Sequence, residues 1–163
     1  FETVEPRLPS ETKVFRGGGG LFSSPNDYVR LLTCLYHDGE LNGVRVLGEP
    51  MVELLFRDQL PAGMAIGFLD APSDYELTSD GGFERGMRDD RWSFGWALDG
   101  GKRQGVRSAG AAYWAGFLNS YYTIDRKQGV IVVFFCQYVP FDDSDAYELY
   151  RAFDGEVYLA RNR

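Results

Sequence analysis

Ser10-Glu11-Thr12-Lys13 sets a hydroxyl and an amine three residues apart. On a helix that spacing brings a lysine close enough to take the proton of a nucleophilic serine. The chemistry needs the serine at a buried helix start. Ser10 instead follows Pro9 in a polar stretch with no apolar face, so the match reads as a coincidence of letters. His37 is the only histidine. It falls at a predicted helix end, where a cation is mildly favoured, and no activated serine or cysteine is placed to use it as a base. Cys34 and Cys136 fit no Cys-x-x-Cys motif and read as separate buried thiols. Asp142, Asp143 and Asp145 precede a helix without the glycine and distal glutamate of a calcium loop. No spacing of His, Cys, Asp or Glu fits zinc. No metal and no cofactor is expected.

The 163 residues are enough for one domain with a real core, and 44% of them are hydrophobic. A net charge of −7 argues against a nucleic-acid partner. No apolar run approaches the length that spans a bilayer. The chain starts at Phe1 without Met or a signal-peptide pattern, so it is read as a processed or cut piece whose localisation signal lies elsewhere.

Residues 1–20 predict an extended lead-in ending in a glycine joint, Gly17 to Gly20. Ser24-Pro25-Asn26-Asp27 is a helix start, with Ser24 as cap and Pro25 at the first helical position. Tyr28, Leu31, Leu32, Leu35 and Tyr36 then make one apolar stripe. Asn42-Gly43 is a turn, and a short helix after Pro50 points Met51, Leu54 and Leu55 inward. The helices occupy 24–60 and a long loop 61–90. A sheet of three to four antiparallel strands occupies 91–137, with strands over Trp92–Leu98, from Val106 towards Tyr113, and in a hairpin. In that hairpin Phe117–Ile124 turns at Asp125–Gly129 into Val130–Cys136, which is apolar throughout and so covered on both faces. A terminal helix over 143–160 supplies Tyr147, Leu149, Tyr150, Phe153, Val157 and Tyr158. The fold class is α+β.

Trp114-Ala115-Gly116, read as opening the hairpin's first strand, is followed by Phe117-Leu118-Asn119, a Tyr-Tyr-Thr-Ile-Asp strand end and an apolar strand closing on Cys136-Gln137. This run resembles the third motif and last hairpin of the serine β-lactamase-like hydrolases. More narrowly it resembles the class C, family VIII esterase and statin-acyltransferase-like branch, where Trp-x-Gly stands for Lys-Thr-Gly. Gly17–Tyr28, Leu35–Leu47 and Ser93–Trp96 resemble that family's glycine run, following helix and turn, and the strand before the third motif. The resemblance covers nearly the whole chain and implies the C-terminal part of a β-lactamase/transpeptidase-like fold. The family's Ser-x-x-Lys and Tyr motifs should precede the glycine run, and only sixteen residues do so here.

The resemblance implies an acyl-enzyme mechanism on an ester, amide or lactam. Phe117 N–H would hold the oxyanion, Gly116 would keep bulk from the nucleophile, and Trp114 would favour a neutral acyl or alcohol group. Tyr113 and Asn119 would be further substrate contacts. Alone, the chain is expected to be inactive and to need the missing N-terminal half. A homodimer through an open sheet edge is a further expectation. The rival reading is a non-catalytic structural or binding module.

Overall fold

The computed structural model describes residues 13, 17–64, 66, 89–101 and 106–161. Ser10 and most of the 61–90 loop lie outside the described residues. Among the described residues three helices and two antiparallel sheets follow one another. Helix α1 spans Pro25–Tyr36, strands β1 (Glu40–Leu41) and β2 (Val44–Arg45) form a small hairpin, and helix α2 spans Glu49–Phe56. A five-stranded sheet follows in chain order: β3 (Arg91–Trp92), β4 (Ala97–Leu98), β5 (Ala112–Gly116), β6 (Ser120–Asp125) and β7 (Val130–Phe134). Helix α3 (Ser144–Arg161) closes the chain.

Local chemistry accounts for the helix ends. Ser24 Oγ accepts the Asp27 N–H at 3.1 Å and donates to the Asp27 carboxylate at 2.8 Å, while Pro25 opens the first turn. Asn42 and Gly43 both take positive φ, 52° and 78°, as a two-residue turn between paired strands requires. Asp143 Oδ1 accepts Ala146 N–H at 3.0 Å and so caps α3.

β7 is covered on both faces, as its composition demands. On one side Val130, Val132 and Phe134 join Tyr113, Tyr121, Tyr147, Tyr150 and Tyr158 under α3. On the other, Ile131 and Val133 join Leu32, Trp96, Ala112 and Ile124 under α1 and α2. The sheet is therefore the middle layer of three.

The sheet gains a strand over the expected three to four because Trp92–Leu98 is not one strand. Ser93 Oγ accepts the N–H groups of Gly95 (3.3 Å) and Trp96 (3.2 Å), and Ser93 N–H donates to Trp96 O at 2.9 Å. The serine folds the segment back on itself as the β3–β4 hairpin. The expected strand from Val106 begins only at Ala112, and Trp114-Ala115-Gly116 closes β5 rather than opening the next strand. Helix faces shift too. In α2 Leu55 packs inward as expected, but the buried residue is Val52 and Met51 is 53% exposed. On α1, Leu31 faces outward. On α3, Leu149 and Phe153 are 60% and 46% exposed, and the buried stripe is Tyr147, Tyr150, Asp154 and Tyr158.

The β6–β7 turn is built on a buried carboxylate. Asp125 Oδ1 accepts the N–H groups of Lys127 (3.1 Å) and Gln128 (3.0 Å). Its Oδ2 accepts Ser108 N–H at 2.8 Å and the Tyr158 hydroxyl at 3.1 Å. Burial pushes this carboxyl up, but the Ser108 and Gln128 donors outweigh it and hold Asp125 below the ordinary 3.8. A depressed folded pKa gives stability that is present above the ordinary value and lost as pH falls through the folded one. Asp125→Asn should cost about 2 kcal/mol at neutral pH. It should also flatten the fall in Tm below about pH 4, which melting curves across acid pH would show.

Candidate functional site

β4 pairs with only the first part of β5. Ala97 lies opposite Tyr113 and Leu98 opposite Ala112, while β6 runs along β5 as far as Gly116 opposite Ser120. Among the described residues no strand pairs with Trp114, Ala115 or Gly116 on the β4 side. Asp99 N–H donates to Ala111 O at 2.8 Å, which fixes the alternation: odd-numbered residues of β5 turn their backbone groups towards β4. The N–H and C=O of Ala115 therefore face the side on which no strand among the described residues pairs. Phe117, the first residue of the turn, is next in that alternation.

Asn119 fixes this turn. Its side chain is fully buried and its φ is 59°. Nδ2 donates to the carbonyls of Tyr138 (2.9 Å) and Pro140 (2.8 Å). Oδ1 accepts the Tyr121 hydroxyl (2.9 Å) and Asp143 N–H (3.2 Å). One amide thus ties the β5–β6 turn to the segment leading into α3. Phe117 is left 52% exposed, stacked on Phe141 with ring centres 6.2 Å apart.

Of the residues singled out from the sequence, Trp114, Gly116 and Phe117 lie together at the end of β5. Trp114 is partly buried, edge-on to Trp92 at 4.6 Å. A Cβ built on Gly116 would meet Ser120 only at ordinary contact distance, 3.5 Å, and its φ is not positive, so nothing among the described residues demands a glycine there. Tyr113 points instead into the core, its hydroxyl donating to Asp90 Oδ2, and Asn119 is engaged as above.

Sequence reasoning missed the charged groups under β5. The Arg107 guanidinium lies 5.0 Å from the Tyr113 ring centre, donates to Asp154 Oδ2 at 3.0 Å and to the Tyr150 hydroxyl at 2.5 Å. Burial works against its charge, but Tyr150 and Asp154 more than offset this and hold its pKa above the ordinary value. Burial pushes the Tyr150 hydroxyl up to about 12, with Arg107 pulling the other way. A signal for Asp154 did exist: it stands on the buried α3 stripe at helical spacing from Tyr150 and Tyr158. Arg107 offered none.

The remaining candidates lie elsewhere. His37 caps α1 through its backbone N–H on Thr33 O, and both cysteines are free thiols. The described residues hold no group of acidic, histidine or cysteine side chains fit for a metal. A cleft of about 460 Å³ at the β1–β2 hairpin includes no residue of β5 in its lining, and Arg45 and Glu40 in its wall are already paired at 2.8 Å.

The family model described as Beta-lactamase matches residues 2–156. The chain belongs to the beta-lactamase family. Its fold is similar to that of simvastatin synthase (LovD) from Aspergillus terreus, with a TM-score of 0.71 and 21% identity over 90% of this chain. The LovD9 mutant of the same enzyme gives 0.67 and 23%, again over 90% of this chain. The chain spans 36% and 37% of those two structures. Protein Rv1367c of Mycobacterium tuberculosis H37Rv is 46% identical over 43 residues, which are 26% of this chain and 11% of that protein. Uncharacterized protein MT1414 of strain CDC 1551 matches to the same extent.

The turn's dependence on one amide can be tested. Asn119→Ala removes its hydrogen bonds and puts Cβ strain at positive φ, and Asn119→Gly removes only the bonds. Both should lower unfolding free energy by about 2 kcal/mol or more, with alanine worse than glycine by up to about 1 kcal/mol. Urea denaturation would check the order.

Proposed function

We propose that this beta-lactamase-family chain supplies the third-motif wall of a serine hydrolase or acyltransferase acting on an ester through an acyl-enzyme. The observation that carries the reading is the end of β5 beyond its pairing with β4, where backbone donors face an edge that no strand among the described residues occupies, beside a glycine that nothing described requires. A strand edge of that kind can receive a carbonyl and the nucleophile that attacks it.

In the proposed step a serine Oγ, supplied from outside this wall, adds to the ester carbonyl and passes its proton to a neighbouring base. The carbonyl oxygen becomes an oxyanion. Phe117 N–H donates to it, and the bare Cα of Gly116 leaves room for the approach. Collapse breaks the bond to the alcohol, which takes the proton and leaves, and the acyl group stays on the serine. Donors aimed in advance at the oxyanion act where charge develops, so they lower the barrier rather than merely improve binding. Trp114 stands where the family's β-lactamases carry a lysine, which favours a neutral substrate over a carboxylate-bearing lactam. Tyr113 and Asn119 act through the scaffold by holding β5 and its turn.

On this reading the chain alone has no turnover, because the nucleophile is not in it. Incubation with a p-nitrophenyl ester and an active-site serine probe should give neither product nor label. Label on Ser10, abolished in Ser10→Ala, would contradict this. In the polypeptide that also carries the nucleophile, Phe117→Pro removes the N–H and should lower kcat about 10²–10³-fold with little change in KM, while Phe117→Ala keeps the donor and most of the rate. A non-catalytic module is the second reading, favoured by the full engagement of Tyr113 and Asn119 in the scaffold. It predicts no turnover or labelling in the longer polypeptide either.

A further inference from the structure

One amide fixes two aromatic rings at the end of β5. Asn119 Nδ2 donates to the carbonyls of Tyr138 and Pro140, and Oδ1 accepts the N–H of Asp143. Those partners stand on both sides of Phe141 in the chain. Asn119 itself, at φ 59°, shapes the turn that carries Phe117. Phe141 is also seated against the core under α3. The Phe117 ring lies nearly parallel to it, with 18° between the ring planes and centres 6.2 Å apart. That is the separation at which aromatic pairs attract. The two rings are therefore set by contacts within this chain, whatever stands opposite them in a longer polypeptide.

Phe117 is also the residue whose N–H meets the oxyanion in the step proposed above. Donor and ring share one Cα, so a substituent on the bound carbonyl comes within reach of the ring. Polarity narrows what that substituent can be. Leu118 and Val139, beside the two rings in the chain, are apolar and exposed among the described residues. No Lys or Arg occurs from Ser108 to Asp125 or from Gly129 to Tyr150, and Asp142 and Asp143 follow Phe141 directly. An anionic substituent would find no cation on these segments and would meet like charge. We propose that the Phe117–Phe141 stack is a specificity shelf that selects esters carrying a neutral, flat aromatic group beside the reacting carbonyl, an inference that rests on the ester reading above. A third ring on the shelf continues the stack at the separations such pairs favour. Phe141 exchanges no proton and touches no reacting atom, so its contribution is to KM rather than to kcat.

The test uses the polypeptide that carries the nucleophile, with phenyl acetate, methyl benzoate and ethyl acetate as substrates. The first two are isomers that place the ring on the alcohol side and on the acyl side. Phe141→Ala should lower kcat/KM for one of these two, relative to ethyl acetate, by roughly three- to tenfold and through KM. The ester affected identifies the side of the carbonyl that lies on the shelf. Phe141→Tyr keeps the ring and should keep the preference, while Phe141→Leu keeps apolar bulk and should lose most of it. If Phe141→Ala does not fold, the tyrosine and leucine variants decide. Equal losses on all three esters, a loss through kcat alone, or a leucine variant that matches the tyrosine one overturns the proposal. Should no ester be turned over, the ester reading itself fails. The shelf is then judged by titrating phenyl acetate into the isotope-labelled polypeptide: shifts at the Phe117 amide that weaken in Phe141→Leu uphold it as an aryl site, and their absence overturns it.

Discussion

A strand such as Val130–Phe134, apolar on both faces, can exist in water only if something lies on each side of it. That demand organises the chain. α1 brings Leu32, Tyr28, Leu35 and Tyr36 to one face, and α3 brings Tyr147, Tyr150 and Tyr158 to the other. A fully buried aliphatic side chain such as Leu32 contributes about 1.5–3 kcal/mol, and the buried tyrosine rings of α3 cover the opposite face. β6 pairs along the whole of β7, and β5 along most of β6. The end of β5 that β4 does not reach is therefore held in place by burial two strands away.

Polar groups then decide the details that burial leaves open. Asp125 anchors the β6–β7 turn, Ser93 folds the β3–β4 hairpin, and Asn119 fixes the β5–β6 turn. Arg107 and Asp154 carry charge into the layer between sheet and helix, with side chains only 7% and 6% exposed. A buried ion pair contributes little net stability against an apolar replacement, while an unpaired member is costly. The pair ties α3 to the segment that enters β5, with the guanidinium between the Tyr113 and Tyr150 rings.

What was legible in the residues follows from distance along the chain. The Ser24 cap, the Asn42-Gly43 turn, the Asp125–Gly129 turn and the two-faced β7 are local and were read correctly. Ser93 was misread because its bonds to Gly95 and Trp96 compete with the alternation of Trp92, Phe94 and Trp96 that mimics a strand. Asn119 was assigned to substrate contact by resemblance alone, and its scaffold role was not legible because its partners, Tyr138, Pro140 and Asp143, lie some twenty residues downstream. Arg107 and Asp154 are 47 residues apart, and nothing in the composition near Arg107 announces a buried partner. Trp114, Gly116 and Phe117 do fall together, because adjacency in a strand carries directly into space.

The proposed catalytic contact is Phe117 N–H on an oxyanion at the end of β5. The most direct measurement is a crystal structure of the nucleophile-bearing enzyme inactivated by a p-nitrophenyl phosphonate, whose phosphonyl oxygen stands where the oxyanion would. That oxygen is expected about 2.7–3.1 Å from Phe117 N, with Trp114 alongside and no side chain intruding at Gly116. A phosphonyl oxygen held by other donors, with Phe117 N–H turned away, would contradict it.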